Sequence, residues 1–283
     1  MLKLKIGGVP EHFNYPWLHA INHNLFNHAN YQLQFQFQKG GTGEMIEELE
    51  NKNLDLAIML TEGAIFKINK GTNFRILQKY VETPLLWGIH VAANSSYKQI
   101  SDLESSTIAI SRYGSGSHLM AVVNAKQNNW DISKLNYKVC DNLDNAVSSL
   151  ENKTSDYLMW EHFTTKPLVD LGILRRLDDC PTPWPCFVIV CRESIYQTYP
   201  EEIKHLQEKL HYSIKTLRND KFLAKKIASK FNQRIDDVKQ WIKITEWSDQ
   251  QQLTKAEINQ VQHQLKELNL LDSVLNYENF ILS

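Results

Sequence analysis

Cysteine is scarce in this 283-residue chain, and the four copies it has form no recognisable motif. Cys140, Cys180, Cys186 and Cys191 include no C-x-x-C pair, so neither a zinc site nor a dithiol redox site is written here, and the thiols read as reduced and mostly buried. An excess of charge of one sign is also missing. The 31 Lys and Arg oppose 32 Asp and Glu for a net charge of -1, which excludes a global field that recruits nucleic acid or an anionic membrane. No apolar run approaches the roughly 20 residues a membrane span needs. The opening alternates Leu2, Leu4 and Ile6 with Lys3 and Lys5, a half-buried strand rather than the unbroken apolar core of an export signal. The expectation is a soluble, cytoplasmic protein that chooses its partner by local chemistry.

What the chain does have is apolar material, 42% of its residues, over a length that suits two modest domains or one large one. Its first stretch reads as a strand over Leu2 to Gly7, a turn at Gly8 to Pro10, and a helix from about Pro16 to Phe26 with Leu18, Ile21 and Leu25 on one face. A second strand alternates Tyr31, Leu33, Phe35 and Phe37 with glutamines. After a glycine-rich turn and a helix through Met45 and Leu49 comes Leu54 to Leu60, a run that a parallel sheet buries on both faces. This alternation of strand and helix predicts an α/β fold. Further on, Thr107 to Ser111, a helix from about Ser117 to Lys126, the apolar run Pro185 to Cys191 and amphipathic helices through Ile203, Leu206, Leu210, Ile258, Val261, Leu265 and Leu268 complete the pattern.

An internal echo supports two related lobes. Leu49-Glu50-Asn51-Lys52-Asn53-Leu54-Asp55 recurs as Leu150-Glu151-Asn152-Lys153-Thr154-Ser155-Asp156, each copy leading from a helix into an apolar strand. Either the architecture repeats or a composition rich in Asn, Lys and Glu has produced a coincidence.

In open α/β sheets, ligands bind beyond the carboxyl ends of the strands, where helix N-termini present unbonded amides. Four stretches qualify: Gly40 to Gly43, Thr61 to Gly63, Ser111 to His118, and Trp160-Glu161. In the third, Gly114 and Gly116 permit close backbone approach, Ser111, Ser115 and Ser117 offer hydroxyls, and Arg112 supplies a cation. This set suits a carboxylate, sulfonate or phosphate, or else is a capped helix start. It is not a Walker A loop, since no Lys-Ser or Lys-Thr follows, and Leu119 takes the place of the third glycine of G-x-G-x-x-G, which disfavours ATP and NAD. Thr42, beside Gly41, either caps the next helix or turns to a ligand. Thr61 follows a buried strand, and Glu62 either binds an amine or ring N–H or is a solvated acid that starts a helix. Trp87 and Trp184 are core residues or stacking platforms for a planar ligand, and Glu161 ends another strand. His12, His90 and His118 lie near these segments without a nucleophile elbow or an HExxH, so no catalytic group, metal or cofactor is expected, and His12 and His118 are kept as ligand contacts.

With KIGGVPEHFNYPW, GGTGEMIEEL, DLAIMLTEG, WGIHVAA and ISRYGSGSHLMA in view, the chain resembles the type 2 periplasmic-binding-protein superfamily. The likeness is to its alkanesulfonate-, nitrate- and thiamine-precursor-binding branch with the related thiamine-pyrimidine synthases, and to a microbial subfamily without a signal peptide. The resemblance implies two Rossmann-like lobes. Residues 1–88 plus 186–283 would form a discontinuous lobe I with the C-terminal helices, and residues 89–185 lobe II, with hinge crossings near Trp87 to Ala93 and Thr182 to Val188. It further implies an interlobe cleft that closes like a clamp on a small, polar, anionic and aromatic or heterocyclic ligand. The CCCFC motif of the pyrimidine synthases has no counterpart. A ligand-binding protein related to transporter components is therefore expected. The alternative is a cytosolic biosynthetic enzyme acting on a pyrimidine- or thiamine-precursor-like substrate with Glu62, Glu161 or His118 as acid or base. A regulator's effector domain ranks last, since no helix-turn-helix precedes the fold.

Overall fold

A computed structural model describes residues 2–249 and 251–282. Its strands are β1 (Leu2–Gly8), β2 (Tyr31–Phe37), β3 (Leu56–Leu60), β4 (Phe74–Val81), β5 (Leu86–Ala92), β6 (Thr107–Ile110), β7 (Asn136–Val139), β8 (Tyr157–Glu161), β9 (Leu174–Pro181) and β10 (Phe187–Arg192). Its helices are α1 (Tyr15–Asn22), α2 (Gly41–Glu50), α3 (Thr61–Asn69), α4 (Gly116–Gln127), α5 (Leu143–Glu151), α6 (His162–Asp170), α7 (Glu193–Thr198), α8 (Pro200–Arg218), α9 (Leu223–Phe231), α10 (Ile235–Ile244) and α11 (Lys255–Glu267). They divide into two compact units. Unit 1 comprises Met1–Thr83 and Trp184–Ser283, and unit 2 is Pro84–Pro183.

Each unit is built on a five-stranded mixed sheet, ordered β2-β1-β3-β10-β4 in unit 1 and β7-β6-β8-β5-β9 in unit 2. In unit 1, β1 runs parallel to β2 and β3, while β10 inserts antiparallel between β3 and β4. Unit 2 repeats the plan: β6 is parallel to β7 and β8, and β5 lies antiparallel between β8 and β9. The one antiparallel strand of each sheet is the strand that enters just after the chain has crossed from the other unit. The sequence echo marks this duplication. Lys52 and Lys153 turn each helix end with positive φ (62° and 56°), and each motif's aspartate clips the adjacent strand. Asp55 Oδ2 accepts the Lys5 amide at 2.9 Å, and Asp156 Oδ2 accepts the Thr107 amide at 2.7 Å.

Residues fill these elements as their periodicity dictates, with instructive departures. β3 is buried on both faces because helices cover a central strand. β2 alternates less cleanly than its sequence suggests: Tyr31 is buried but Phe37 is 45% exposed, since β2 forms the sheet edge. Helix α1 stops at Asn22, short of the predicted Phe26. Asn24 takes φ 54°, and the Leu25 amide returns to Ala20 O at 2.9 Å, closing the helix in a Schellman-like turn. Its buried face carries Trp17 and Ala20 instead of Leu18 and Ile21, and Phe26 folds back to stack on Trp17 with ring centroids 5.6 Å apart.

The C-terminal helices contribute core as well as length. In α8, Ile203, Leu206, Leu210, Ile214 and Leu217 are buried, and in α11 Ile258, Val261 and Leu265 are, each burial being worth about 1.5–3 kcal/mol. Segments beyond α10 also cover the free edge of β4: Ile76 N donates to Phe280 O at 2.7 Å, Lys79 N to Gln251 O at 2.8 Å, and Ser248 N to Tyr80 O at 2.9 Å. An edge that would otherwise invite intermolecular pairing is thereby satisfied.

Candidate ligand-binding site

The strand ends carry the polar chemistry in each unit. In unit 1, β1, β2 and β3 run parallel and end at Gly8, Phe37 and Leu60, and helices α2 and α3 start at the last two turns. Gly41 opens α2 with φ +68°, a conformation that needs glycine, and its amide donates to Gln38 O at 3.2 Å. Thr42 does not cap its own helix. Its Oγ1 accepts the Leu60 amide at 3.3 Å, and its methyl lies 2.5 Å from where a Cβ on Gly63 would stand, so α2 and α3 lock together there.

Glu62 occupies the first turn of α3 and is 2% exposed, which removes the solvated-acid reading. Oε2 accepts Trp184 Nε1 at 2.8 Å, while Oε1 is buried without a hydrogen-bond partner. Burial pushes this carboxyl up to about 7, opposed by the helix-start amide and the indole N–H. Thr61 Oγ1, fully buried beside it, is likewise unbonded, as is Asn14 Oδ1 at the β1 end, where Asn14 Nδ2 donates to Val9 O at 2.8 Å. Sequence reasoning missed Asn14, which no motif marks. His12 sits in an aromatic shell, 4.3 Å from the Trp241 ring and 4.8 Å from Phe13, and burial depresses it to about 3, so it packs as a neutral ring.

In unit 2, the Ser111 to His118 turn joins β6 to α4. Ser115 is the N-cap, its Oγ accepting the His118 amide at 3.3 Å, and Ser117 Oγ accepts the Ser111 amide at 2.9 Å while lying 3.0 Å from Ser115 Oγ and 3.3 Å from Ser111 Oγ. The three hydroxyls therefore brace the turn, while the first-turn amides of Gly116 and Ser117 have no preceding helical carbonyl to satisfy them, and Arg112 is half-buried. Gly114 takes φ +77° and donates its amide to His118 Nδ1 at 3.1 Å, and burial lowers the basicity of that imidazole. Tyr113, 65% exposed, and Tyr137 flank His118 edge-on at 5.3 and 4.8 Å.

Glu161 closes β8, in register with Trp87 on β5. Its Oε2 caps α6 by accepting the Thr164 amide at 2.6 Å; burial raises its pKa and that hydrogen bond opposes the rise. Trp87 is 6% exposed and Trp184 2%, so neither presents an open face for stacking. Glu62, Thr61, Thr42 and Trp184 are thus brought together in unit 1, whereas Trp87 and Glu161 meet in unit 2. Beside α6 lies a network that the sequence did not signal, because three separate elements supply it. Arg176 donates to His90 Nε2 at 3.3 Å and to His162 Nε2 at 2.6 Å, and His162 Nδ1 reaches Asp179 at 2.8 Å. No group of three or more potential metal ligands occurs among the described residues, and no helix among them is long and apolar enough to cross a membrane.

Comparison with known proteins places this architecture. A family model described as Ca3427-like PBP matches residues 87–180. Among solved structures, the Candida albicans CA3427 gene product, which exhibits the generic periplasmic binding protein fold, is 26% identical over 100% of this chain and 96% of that one, with a TM-score of 0.91. The alkanesulfonate-binding protein SsuA of Xanthomonas axonopodis pv. citri, bound to MOPS, superposes with a TM-score of 0.84 at 15% identity, covering 100% of this chain and 98% of that one. A zinc-bound ligand-binding component of an ABC-type import system from Staphylococcus aureus gives 0.77 at 16% identity, covering 100% and 97%. No curated protein matches. With two units of mixed sheet and interleaved helices, the chain has the periplasmic-binding-protein fold, resembles the type 2 periplasmic-binding-protein-like superfamily, and matches the Ca3427-like PBP model over residues 87–180.

Proposed function

We propose that this protein binds a small, polar, anionic metabolite at the carboxyl ends of its parallel strands, with the acidic group of the ligand held at the start of α4. The observation that carries this reading is the form of the Ser111 to His118 turn. Its serines are committed to bracing, Gly114 bends the backbone at φ +77°, and α4 opens on the Gly116 and Ser117 amides shortly after Arg112 in the chain. Amides at a helix N-terminus and a guanidinium suit a sulfonate, phosphonate or carboxylate oxygen. The sulfonate ligand of the SsuA neighbour supports the same class. Calorimetric titration with propane-1-sulfonate tests it: replacing Arg112 with Ala weakens binding at least tenfold, and unchanged affinity removes the anion clamp. Clamp-like closure is a separate part of the proposal, checked by small-angle scattering with and without that sulfonate, where an unchanged radius of gyration refutes it.

A catalytic reading has one observation in its favour. Glu62, held at about 7, is poised between its acid and base forms at neutral pH, as a general acid or base requires. Incubation with a metabolite extract separates the two: turnover of a component supports an enzyme, and stoichiometric retention supports a binder.

A further inference from the structure

We propose that His19, in the last turn of α1, and His23, at the C-terminal cap of that helix, hold a divalent transition-metal ion through their Nε2 atoms, an assignment within unit 1 that is independent of the anion reading above. The H-x-x-x-H spacing alone carries no such meaning; the hydrogen bonds of the two rings do. His19 Nδ1 lies 2.8 Å from Ser213 Oγ. That hydroxyl has one hydrogen, which it gives to Pro16 O at 2.8 Å, so it accepts from His19 and the imidazole proton sits on Nδ1. His23 Nδ1 lies 2.8 Å from His19 O, and a carbonyl only accepts, so this proton sits on Nδ1 too. Both neutral rings therefore carry a bare Nε2 lone pair, and neither Nε2 has a hydrogen-bond partner among the described residues. One ring N–H given to an oxygen, with the other nitrogen left as a lone pair, is the state in which histidine binds a metal.

The rings are also spaced for it. Residues four apart share a helix face, and the two ring centroids stand 4.2 Å apart with their planes 35° from parallel. A metal about 2.1 Å beyond each Nε2 stands roughly 3.2 Å from each centroid, so centroids at this spacing subtend about 80° at the ion. That is a cis angle of octahedral or tetragonal coordination, which suits Ni2+ or Cu2+ better than tetrahedral Zn2+. His19 is buried and His23 exposed, so the pair sits where α1 meets solvent. Burial, with His23 and Lys226 nearby and Asp220 opposing, lowers the basicity of His19 and keeps the ring neutral, and Lys226 is itself paired with Asp220 at 2.7 Å. No group of three or more potential metal ligands occurs among the described residues, so water fills the remaining positions. A second histidine pair in unit 1 provides the contrast. His28 and His205 have centroids 4.6 Å apart, but His28 Nδ1 accepts the Asn30 amide at 3.2 Å, which puts the proton of the neutral ring on Nε2, the atom a metal needs bare.

Calorimetric titration of the tag-free full chain with Ni2+, in a non-coordinating buffer at pH 7.5, tests this. The wild type binds one ion per chain. His23→Ala, chosen because His23 is exposed and its loss spares the packing, weakens binding tenfold or more, whereas His28→Ala leaves the affinity within twofold; Zn2+ binds the wild type more weakly than Ni2+ does. Absence of Ni2+ binding to the wild type at millimolar concentration overturns the site. Unchanged affinity in His23→Ala overturns the assignment to this pair. Equal losses in His23→Ala and His28→Ala overturn the proton-placement argument, and tighter binding of Zn2+ than of Ni2+ overturns the cis geometry.

Discussion

Burying Glu62 makes stability depend on pH in the direction opposite to that of most carboxylates, and the size of the effect follows from its surroundings. The carboxyl ionises at 4.5 when free and at about 7 in the folded protein, because burial disfavours the anion more than the Trp184 and helix-start hydrogen bonds favour it. Below 4.5 both states hold the proton. Between 4.5 and 7 the native state keeps a proton that the unfolded chain releases, so stability falls as pH rises, and above 7 the penalty is constant. A shift of that width corresponds to roughly 3 kcal/mol. Glu62→Gln keeps the acceptor for Trp184 and removes the titration. Urea unfolding of both proteins at pH 4.5, 5.5, 6.5 and 7.5 should therefore show the variant gaining about 3 kcal/mol on the wild type across that range. Parallel stability curves would refute the burial argument.

Two further perturbations follow from the contacts described. Asp55 and Asp156 fill equivalent positions but differ in what they leave behind. Asp55→Ala strands Arg192, which is 8% exposed and pairs with that carboxylate, and should cost about 3–5 kcal/mol. Asp156→Ala forfeits the Thr107 amide and the Tyr97 hydroxyl and should cost about 1–2 kcal/mol; equal losses in chemical denaturation would contradict this ordering. Gly63→Ala drives a methyl to within 2.5 Å of the Thr42 methyl and should cost about 1–3 kcal/mol, most of it recovered in the double variant with Thr42→Ser, which loses that methyl and keeps the oxygen for Leu60. A double variant no more stable than Gly63→Ala would place the strain elsewhere.

How much of this was legible beforehand depended on whether a feature is local in sequence. The alternation of Leu4 and Ile6 with lysines and the apolar run of β3 write strand directly, and the Asn-Lys echo marked a repeat that both sheets display. Helix α1 was misread at its end because the stop comes from Asn24 in a left-handed conformation rather than from glycine or proline. At the candidate site, Glu62 and Trp184 were each visible as residues, but 122 positions separate them, and nothing local says that one indole hydrogen is spent on one carboxylate oxygen. The serines of the α4 turn drew attention for their hydroxyls, yet those of Ser115 and Ser117 serve the backbone, accepting the His118 and Ser111 amides. Asn14 and the Arg176 network escaped for the same reason: burial without a partner, or with partners from three elements, is a property of packing.

The interleaved order of strands has a consequence for biosynthesis. Because β10 fills the gap between β3 and β4, the amino-terminal segment leaves the ribosome with two strands lacking a neighbour and waits about 5–20 s, at ordinary rates of translation, for the hundred residues of Pro84–Pro183 to be made first. That contiguous middle portion holds every strand of its own sheet and is complete while its host still lacks β10, the strand that joins β3 to β4. Nascent chains of this protein are therefore expected to pass through a stage in which the inserted unit has all of its strands and the enclosing unit does not, the interval during which a chaperone has most to protect.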